Sequence, residues 1–341
     1  MAYADAFADW RAALDRRNAG LKPLGGTRTL ADLAREYREQ VITARQASSS
    51  PFAPNTLRDL TKVQQHMLHT WGKYRLQEFN AQLILDMHTD LTKKHSSYMA
   101  KRVMTHMHQL FNHAIIWGYL DKNIVAIARP TLPTYTPKDK DPIPMSEARK
   151  LVAYAQGTKH FLLYLTGLVY GFRVGELLAL KWEDIDWDTR TLHVQRQVQE
   201  VQDSPRIREQ TKTKAGDRIL PLTPRIEALM KVTPHTSEFI FPSQDGTAWL
   251  PSNFRRHFSG SRSEGIIGLR QKAGVSSKVT PHIFRHTVAT HLVDLDVRGE
   301  ISDGILGHGK KGVRGRYGRA TIETMRKALT EIENQLLEGL T

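Results

Sequence analysis

The sequence predicts a mainly α-helical protein with a small antiparallel sheet, divided into two domains. Its 341 residues amount to about two ordinary domains of ~150 residues each. Apolar residues recur three and four positions apart through residues 29–125 and again after Pro281, as they do in amphipathic helices. Between these regions, DTRTLHVQRQVQEV and DRILPLT alternate in polarity, which is typical of strands joined by a hairpin.

The first half of the chain predicts a helical domain. Residues 1–28 form an N-terminal extension that ends in the Gly- and Pro-rich stretch AGLKPLGGT. Residues 29–127 follow with helical text, TLADLAREYREQV, and then with the loop QASSSPFAPN. Three further amphipathic segments come after that loop: Thr56–Trp71, Glu78–Leu91 and Ser96–Trp117. We therefore expect about four helices packed into one small domain.

A proline-rich segment separates this region from the remainder. The text ARPTLPTYTPKDKDPIP contains five prolines and four consecutive charged residues, so we predict an extended linker over residues 128–142. Residues 143–341 then form a mixed domain with a C-terminal helix. Its predicted helices are Glu147–Ala155, His160–Tyr170 and Gly175–Leu180, followed by the strands and by the helices after Pro281.

The composition indicates a polyanionic partner. The chain has 49 Lys and Arg against 35 Asp and Glu, a formal net charge of +14, and a pI near 9.9. Proteins this basic usually bind nucleic acid. The absence of cysteine excludes disulfides, cysteine-ligated zinc and thiol nucleophiles. The N-terminus does not read as a signal peptide, and the longest apolar stretch is far shorter than the ~20 residues that span a bilayer. We expect a soluble, cytoplasmic protein associated with the nucleoid.

An arginine lies within the strongly apolar segment TGLVYGFRVGEL. This residue, Arg173, follows a glycine-containing turn between two predicted helices. A buried or half-buried arginine needs an anion. Glu176, one helical turn later, is the simplest partner. The functional alternative adds an external phosphate, with Glu176 bracing the arginine.

A histidine and an arginine lie three residues apart in PHIFRHTVAT. His282 and Arg285 share one face of the predicted helix start, where free backbone N–H groups favour anions. The pair could hold a phosphate, with Arg285 as a fork and His282 as a hydrogen-bond donor or base. Taken alone, such a pair is more often simply solvated.

Two lysines lie in QTKTKAGDRILP, which reads as a basic β-hairpin with its turn at Ala215–Asp217. Lys212 and Lys214 are two residues apart and so project from the same face. Lysines at a hairpin tip are usually only solvated. Either lysine could instead reach into a DNA groove and donate a proton to a leaving oxygen.

The segment GILGHGKKGVRGRY carries His308 and, nine residues later, Tyr317. Its glycines fit the dinucleotide-binding spacing and nearly fit the P-loop. Both motifs need a preceding buried strand, and the text before this segment predicts none, which argues against a nucleotide-dependent enzyme. Arginines on both sides of Tyr317 argue against its burial in a core.

The order of these residues resembles the catalytic domain of the tyrosine recombinases, the phage integrase family. The resemblance spans Pro144 to about Ala320. LTGLVYGFRVGELLALKWEDID resembles the first box of the family, and PHIFRHTVATHL and ILGHGKKGVRGRYGRA resemble its second box and nucleophile segment. The helical residues 29–125 resemble its core-binding domain. The chain departs from the family in the Gly-Lys-Lys that follows His308, and residues 1–28 are too short for a full arm-binding domain.

The resemblance implies a site-specific recombinase or integrase of a phage or other mobile element. Such enzymes cut and rejoin DNA through a 3′-phosphotyrosyl intermediate without a metal or ATP, so we expect no cofactor and no metal. Glu176 would support the site, and Lys214 is the alternative to Lys212, which we favour because Thr-Lys-Thr is most similar to the family's usual hairpin. The implied catalytic residues are Arg173, Lys212, His282, Arg285, His308 and Tyr317.

The resemblance also implies partners: double-stranded DNA, a homotetramer on that DNA, and an accessory DNA-bending or directionality protein. The C-terminal text ATIETMRKALTEIENQLLEGL predicts an amphipathic helix that either packs on its own domain or docks onto a neighbouring protomer. Two alternatives to a recombinase stay open. One is a type IB topoisomerase, which reseals the same strand, and the other is a non-catalytic DNA-binding protein on the same fold.

Overall fold

The computed structural model describes residues 27–49, 51–136, 142–209, 216–308 and 319–340. The chain divides into two compact units between Lys138 and Asp139. The fold is mainly helical with small antiparallel sheets, which confirms the predicted fold class. Among the described residues, no helix combines the length and the apolar character needed to cross a bilayer.

The first unit contains the predicted helices. Helix α1 (Leu30–Tyr37) continues through a π-helical turn (Arg38–Ile42) into the short α2 (Thr43–Gln46). The remaining helices are α3 (Pro54–Trp71), α4 (Ala81–Lys94), α5 (Ser97–Ile116) and α6 (Ile124–Ala128), with 3₁₀ turns at Leu76–Glu78 and Arg129–Thr131.

Polar caps and an apolar core together explain these helices. Side-chain oxygens at the caps accept hydrogen bonds from backbone N–H groups that have no partner within the helix. The residues that cap in this way are Thr29, Asn80, Ser96 and Asn123. One face of each long helix then packs into a single core, which includes Leu33, Met67, Ile84, Met87, Val103, Leu110 and Phe111.

Over its described residues, the second unit combines helices with two small sheets. Its helices are α7 (Met145–Gln156), α8 (Phe161–Tyr170), α9 (Val174–Leu177), α10 (Pro224–Val232), α11 (Pro251–Ser259), α12 (Leu269–Lys272), α13 (Ile283–Asp294), α14 (Gly299–Leu306) and α15 (Arg319–Leu337), with a 3₁₀ turn at Trp182–Asp184. Its strands are β1 (Ile185–Asp186), β2 (Thr191–Val194), β3 (Gln197–Val201), β4 (Ser204–Arg208) and β5 (Arg218–Pro221). Helix α8 is almost wholly buried at the centre of the core of this unit.

The described strands of this unit pair in two separate sets. Strands β1, β2 and β5 form one antiparallel sheet in which Leu192 pairs with Leu220, whereas β3 and β4 form a separate two-stranded ribbon. The predicted hairpin turn at Ala215–Asp217 falls partly outside the described residues and stays a prediction, whereas β3 and β4 are joined by a hairpin turn at Gln202–Asp203. Both turn residues have positive φ, +49° and +56°, as the type I′ hairpin turn requires. That turn usually carries Asn-Gly or Asp-Gly, so Gln-Asp gave no signal in the sequence.

Helix α15 packs on its own unit, one of the two arrangements that its amphipathic sequence allows. Met325, Leu329, Ile332 and Leu336 are buried in the core of that unit. The Glu333 carboxylate, also buried, accepts hydrogen bonds from the hydroxyl of Thr223 and from the first backbone N–H groups of α10, Arg225 N–H and Ile226 N–H, each at 3.0 Å. A carboxylate at the N-terminus of a helix is also favoured by the helix dipole.

We expect Glu333→Ala to lower the free energy of unfolding of this unit by about 3 kcal/mol, because three donors, two of them buried, lose a charged acceptor. Equilibrium urea denaturation measures the change. The matched control is Glu331→Ala on the exposed face of the same helix, which should shift stability by less than about 0.5 kcal/mol. Equal losses in both variants would show that Glu333 does not cap α10.

Candidate active site

A tight glycine turn positions Arg173. Helix α8 ends at Gly171, which has φ +60°, and the chain turns there into Arg173, the residue before α9. A Cβ on Gly171 would lie 3.0 Å from the Val288 Cβ and 3.3 Å from the Arg285 Cα. Both the left-handed backbone and the close approach of α13 therefore require glycine. This turn brings the segment that carries Arg173 directly against the helix that carries Arg285.

A buried carboxylate joins two arginines. Glu176, only 1% exposed, accepts a hydrogen bond from the Arg173 guanidinium at 2.5 Å and from the Arg218 guanidinium at 3.1 Å. Burial alone would raise the pKa of Glu176, but the charges of Arg218 and Arg173 outweigh burial and hold that pKa below its usual value. Glu176 is therefore ionised at neutral pH, and it fixes both guanidinium groups.

Arg285 lies on α13 and is 6% exposed. Its guanidinium donates to the backbone carbonyl oxygens of Gly171 (3.3 Å) and Leu306, and its Nε donates to His308 Nε2 (3.3 Å). Burial and then the charge of Arg173 lower the pKa of Arg285 to about 10, so that the side chain stays charged at neutral pH. The structure thus brings Arg173, Arg285 and His308 into one neighbourhood.

His308 follows the end of α14. Gly307, with φ +64°, ends that helix, and the Leu306 carbonyl that precedes it accepts from Arg285. Burial, followed by the charges of Arg285 and Arg173, lowers the pKa of His308, so the ring is neutral at neutral pH. Because Nε2 faces the Nε–H of Arg285 and acts as the acceptor, the ring proton is assigned to Nδ1. A neutral histidine in this state can donate one hydrogen bond to a bound anion.

Of the four remaining residues predicted for the site, the structure describes only His282. His282 immediately precedes α13 and is exposed, whereas Arg285, three residues later, is buried. The His282 ring lies 5.4 Å from the ring of His286. Lys212, Lys214 and Tyr317 lie outside the described residues, so their roles stay predictions.

Arg218 is a site residue that the sequence analysis missed. It is 4% exposed, and besides Glu176 it donates to the backbone carbonyl oxygens of Ile305 (2.8 Å) and Gly216 (2.9 Å). In β5, Arg218, Leu220 and Pro221 are buried, whereas Ile219, between Arg218 and Leu220, is exposed. The period of two in DRILP could have placed Arg218 on the inner face, beside Leu220.

The described part of the site is a positively charged neighbourhood that suits an anion. Three guanidinium groups and one carboxylate leave two positive charges in excess, and two of those groups are held by backbone carbonyl oxygens. Guanidinium forks match the paired oxygens of phosphate and carboxylate groups. Among the described residues, no group of His, Asp and Glu side chains is arranged to hold a metal ion.

The chain is similar in sequence to the phage integrase family and to tyrosine recombinases. The model of the phage integrase family matches residues 143–323, slightly more than half of the chain. A curated relative, a XerC-like tyrosine recombinase of Caldanaerobacter subterraneus subsp. tengcongensis, is 24% identical over 271 residues. That match covers 71% of this chain and 67% of the relative.

Two solved structures share the fold. The Tn1549 transposon integrase, solved in complex with transposon right end DNA, has a TM-score of 0.68 at 18% identity, covering 89% of this chain and 99% of that chain. The lambda integrase tetramer bound to a Holliday junction has a TM-score of 0.65 at 18% identity, covering 85% of this chain and 80% of that chain.

We expect Glu176→Gln to destabilise the protein by about 2–3 kcal/mol at pH 7, because the buried Arg218 and the half-buried Arg173 lose their carboxylate. The native pKa of Glu176 is depressed, so its contribution is complete above the ordinary value of 4.5 and is lost as the pH falls through the native pKa. The stability difference between wild type and variant should therefore shrink below pH 4.5. Urea denaturation at pH 7, 5 and 4 measures it, and a gap that does not change with pH would contradict the charged role of Glu176.

Proposed function

This chain is a tyrosine recombinase of the phage integrase family, and from that premise we propose that it cuts and rejoins double-stranded DNA at specific sites of a phage or other mobile element. The observation that carries the proposal is the convergence of Arg173 and Arg285 on one neighbourhood. The Gly171 turn joins the segments that carry them, and Arg173 contributes to lowering the pKa of Arg285. Because its substrate is DNA, its proposed place of action is the nucleoid.

The two arginines would hold the reacting phosphate. A phosphodiester gains negative charge on its nonbridging oxygens as it is attacked, and a pair of fixed guanidinium groups stabilises that charge most where it develops. Glu176 and Arg218 keep the Arg173 fork in place, and the Gly171 and Leu306 carbonyls keep the Arg285 fork in place. Little reorganisation is then needed when the phosphate is attacked. Neutral His308 would donate a hydrogen bond from its Nδ1–H to a phosphate oxygen.

Tyr317 would be the nucleophile. Its phenolic oxygen attacks phosphorus in line, an O–P bond forms to the tyrosine, and the bond from phosphorus to the 5′ oxygen breaks. His282 would accept the phenolic proton, since a tyrosine of ordinary pKa ~10 needs a base or nearby cations to ionise. Lys212, or Lys214 as the alternative, would protonate the departing 5′ oxygen.

The covalent bond explains why the proposed reaction needs no ATP, and the two arginines explain why it needs no metal. The 3′-phosphotyrosyl ester retains the energy of the cleaved phosphodiester, so a 5′ hydroxyl from a partner strand can reverse the attack and reseal the DNA. The charge that a metal ion would neutralise is met by Arg173 and Arg285.

We also propose a homotetramer on DNA, with the helical unit and the catalytic unit both contacting the duplex, and an accessory DNA-bending or directionality protein. The net charge of +14 supports binding to the DNA backbone, which makes affinity fall steeply with salt. Any contact of α15 with a neighbouring protomer would use the face that its own unit leaves exposed, which includes Glu323, Lys327 and Glu331.

We expect Tyr317→Phe to bind DNA as the wild type does and to form no covalent adduct, because only the phenolic oxygen can attack phosphorus. The assay detects an SDS-resistant protein–DNA band on duplexes selected from a random-sequence library by the full-length protein. The control, Tyr154→Phe, removes the hydroxyl of a partly exposed tyrosine on α7 and should still form the band. A band with Tyr317→Phe would show that another residue is the nucleophile.

Relaxation of supercoiled DNA by the wild type without recombinant product would favour a topoisomerase.

We expect Lys212→Ala to lose strand cleavage and to regain it when the 5′ bridging oxygen at the mapped cleavage site is replaced by sulfur. A thiolate leaves without protonation, so the general acid is no longer needed. The matched variant is Lys214→Ala, which should cleave the ordinary phosphodiester. If sulfur rescues Lys214→Ala instead, Lys214 is the general acid, and if it rescues neither variant, neither lysine protonates the leaving oxygen.

A further inference from the structure

The β3–β4 ribbon has two chemically different faces. In its antiparallel register, Gln197 pairs with Arg208 and Gln199 pairs with Arg206. Because side chains alternate between faces, these four residues share one face, together with the Val201–Ser204 pair. The burial of β4 follows the same alternation, with Arg206 and Arg208 exposed. The outer face thus carries two arginines and two glutamines and no acidic residue.

The inner face fixes the ribbon to the catalytic unit. Val198 is 3% exposed within the core, and Ile207, which pairs with it, packs against that core. The Glu200 carboxylate accepts from the Ser252 N–H at the start of α11 at 3.0 Å. The orientation of the outer face is therefore set by buried contacts, and it projects from a rigid support rather than from a free loop.

We propose that Gln199, Arg206 and Arg208 on this outer face read base pairs in the major groove of the substrate DNA. This inference rests on the proposed function. A two-stranded antiparallel ribbon fits the width of the major groove, and its side chains can then reach the edges of the bases. Arginine binds guanine through two hydrogen bonds, and glutamine binds adenine in the same way. The face therefore combines positive charge with the two side-chain types suited to base recognition.

The spacing along the ribbon matches that of DNA. Successive residues on one face of an antiparallel strand are about 6.8 Å apart, and two steps of a DNA strand, at ~3.4 Å each, cover the same length. Where the ribbon follows the groove, Arg206 and Arg208 face base pairs about two steps apart. Gln199 lies directly across from Arg206 and adds a second contact at the same level.

Chain continuity limits where these bases lie. Lys212 is four residues after Arg208, and four extended residues span at most ~14 Å. If Lys212 reaches the leaving 5′ oxygen, then, allowing for the length of both side chains, the bases read by Arg208 lie within about one helical turn of the cleaved phosphate. The ribbon would thus impose sequence preference beside the cleavage position.

The test is selection of DNA from a random-sequence duplex library by the full-length protein, in the Tyr317→Phe background so that no adduct forms. Arg206→Ala is expected to bind with reduced affinity and to lose about tenfold of its preference at one base pair. Arg206→Lys retains the charge and should retain most of the affinity while losing the same preference, because lysine lacks the fork. The control, Arg225→Ala, removes an exposed arginine from α10 and should leave the selected sequence unchanged.

The outcomes separate the two proposals. A selected sequence that is identical for wild type, Arg206→Ala and Arg206→Lys overturns base reading by the ribbon but leaves the recombinase proposal intact. A uniform loss of affinity in Arg206→Ala, with unchanged base preference, shows a phosphate contact and also overturns it. If the protein with Tyr317 intact forms no SDS-resistant adduct on any selected duplex, the proposed function fails. A preference that is relaxed at one or two adjoining positions in the Arg206 variants supports the ribbon.

Discussion

The site depends on one buried interaction, the Glu176 carboxylate held between Arg173 and Arg218. A charged group with 1% exposure is costly unless its partners surround it, and here two guanidinium groups supply the compensation. The same hydrogen bonds fix the positions of both guanidinium groups. Arg173 is thereby oriented before any phosphate arrives.

A second set of contacts does the same for Arg285 with backbone oxygens in place of a carboxylate. Gly171 and Leu306 present their carbonyl groups because glycines end both helices in the left-handed conformation, at Gly171 and Gly307. Carbonyl oxygens orient a guanidinium without cancelling its charge. The site therefore keeps an excess of positive charge, which a bound phosphodiester can neutralise.

The catalytic unit combines this fixed site with elements that reach outward from it. The C-terminal helix α15 packs its apolar face into the core, and its Glu333 caps α10. On another side, the β3–β4 ribbon is attached through Val198 and Glu200 and displays a basic outer face. Buried contacts thus support both the candidate site and the face that we propose to read DNA within one unit, which suits a substrate that is a long polyanion.

The sequence by itself determined the helices of the first unit, the helices beside Arg173 and Arg285, the basic charge and the order of the motif residues from Arg173 to Tyr317, because these depend on local spacing. It also placed Glu176 beside Arg173, since one helical turn separates them. Only the tertiary structure decided that β5 pairs with β2, that Arg218 reaches Glu176 across 42 residues, and that His308 meets Arg285. Such contacts depend on how distant segments pack, and a hairpin turn of Gln202–Asp203 lacks the local signal that would have revealed the register.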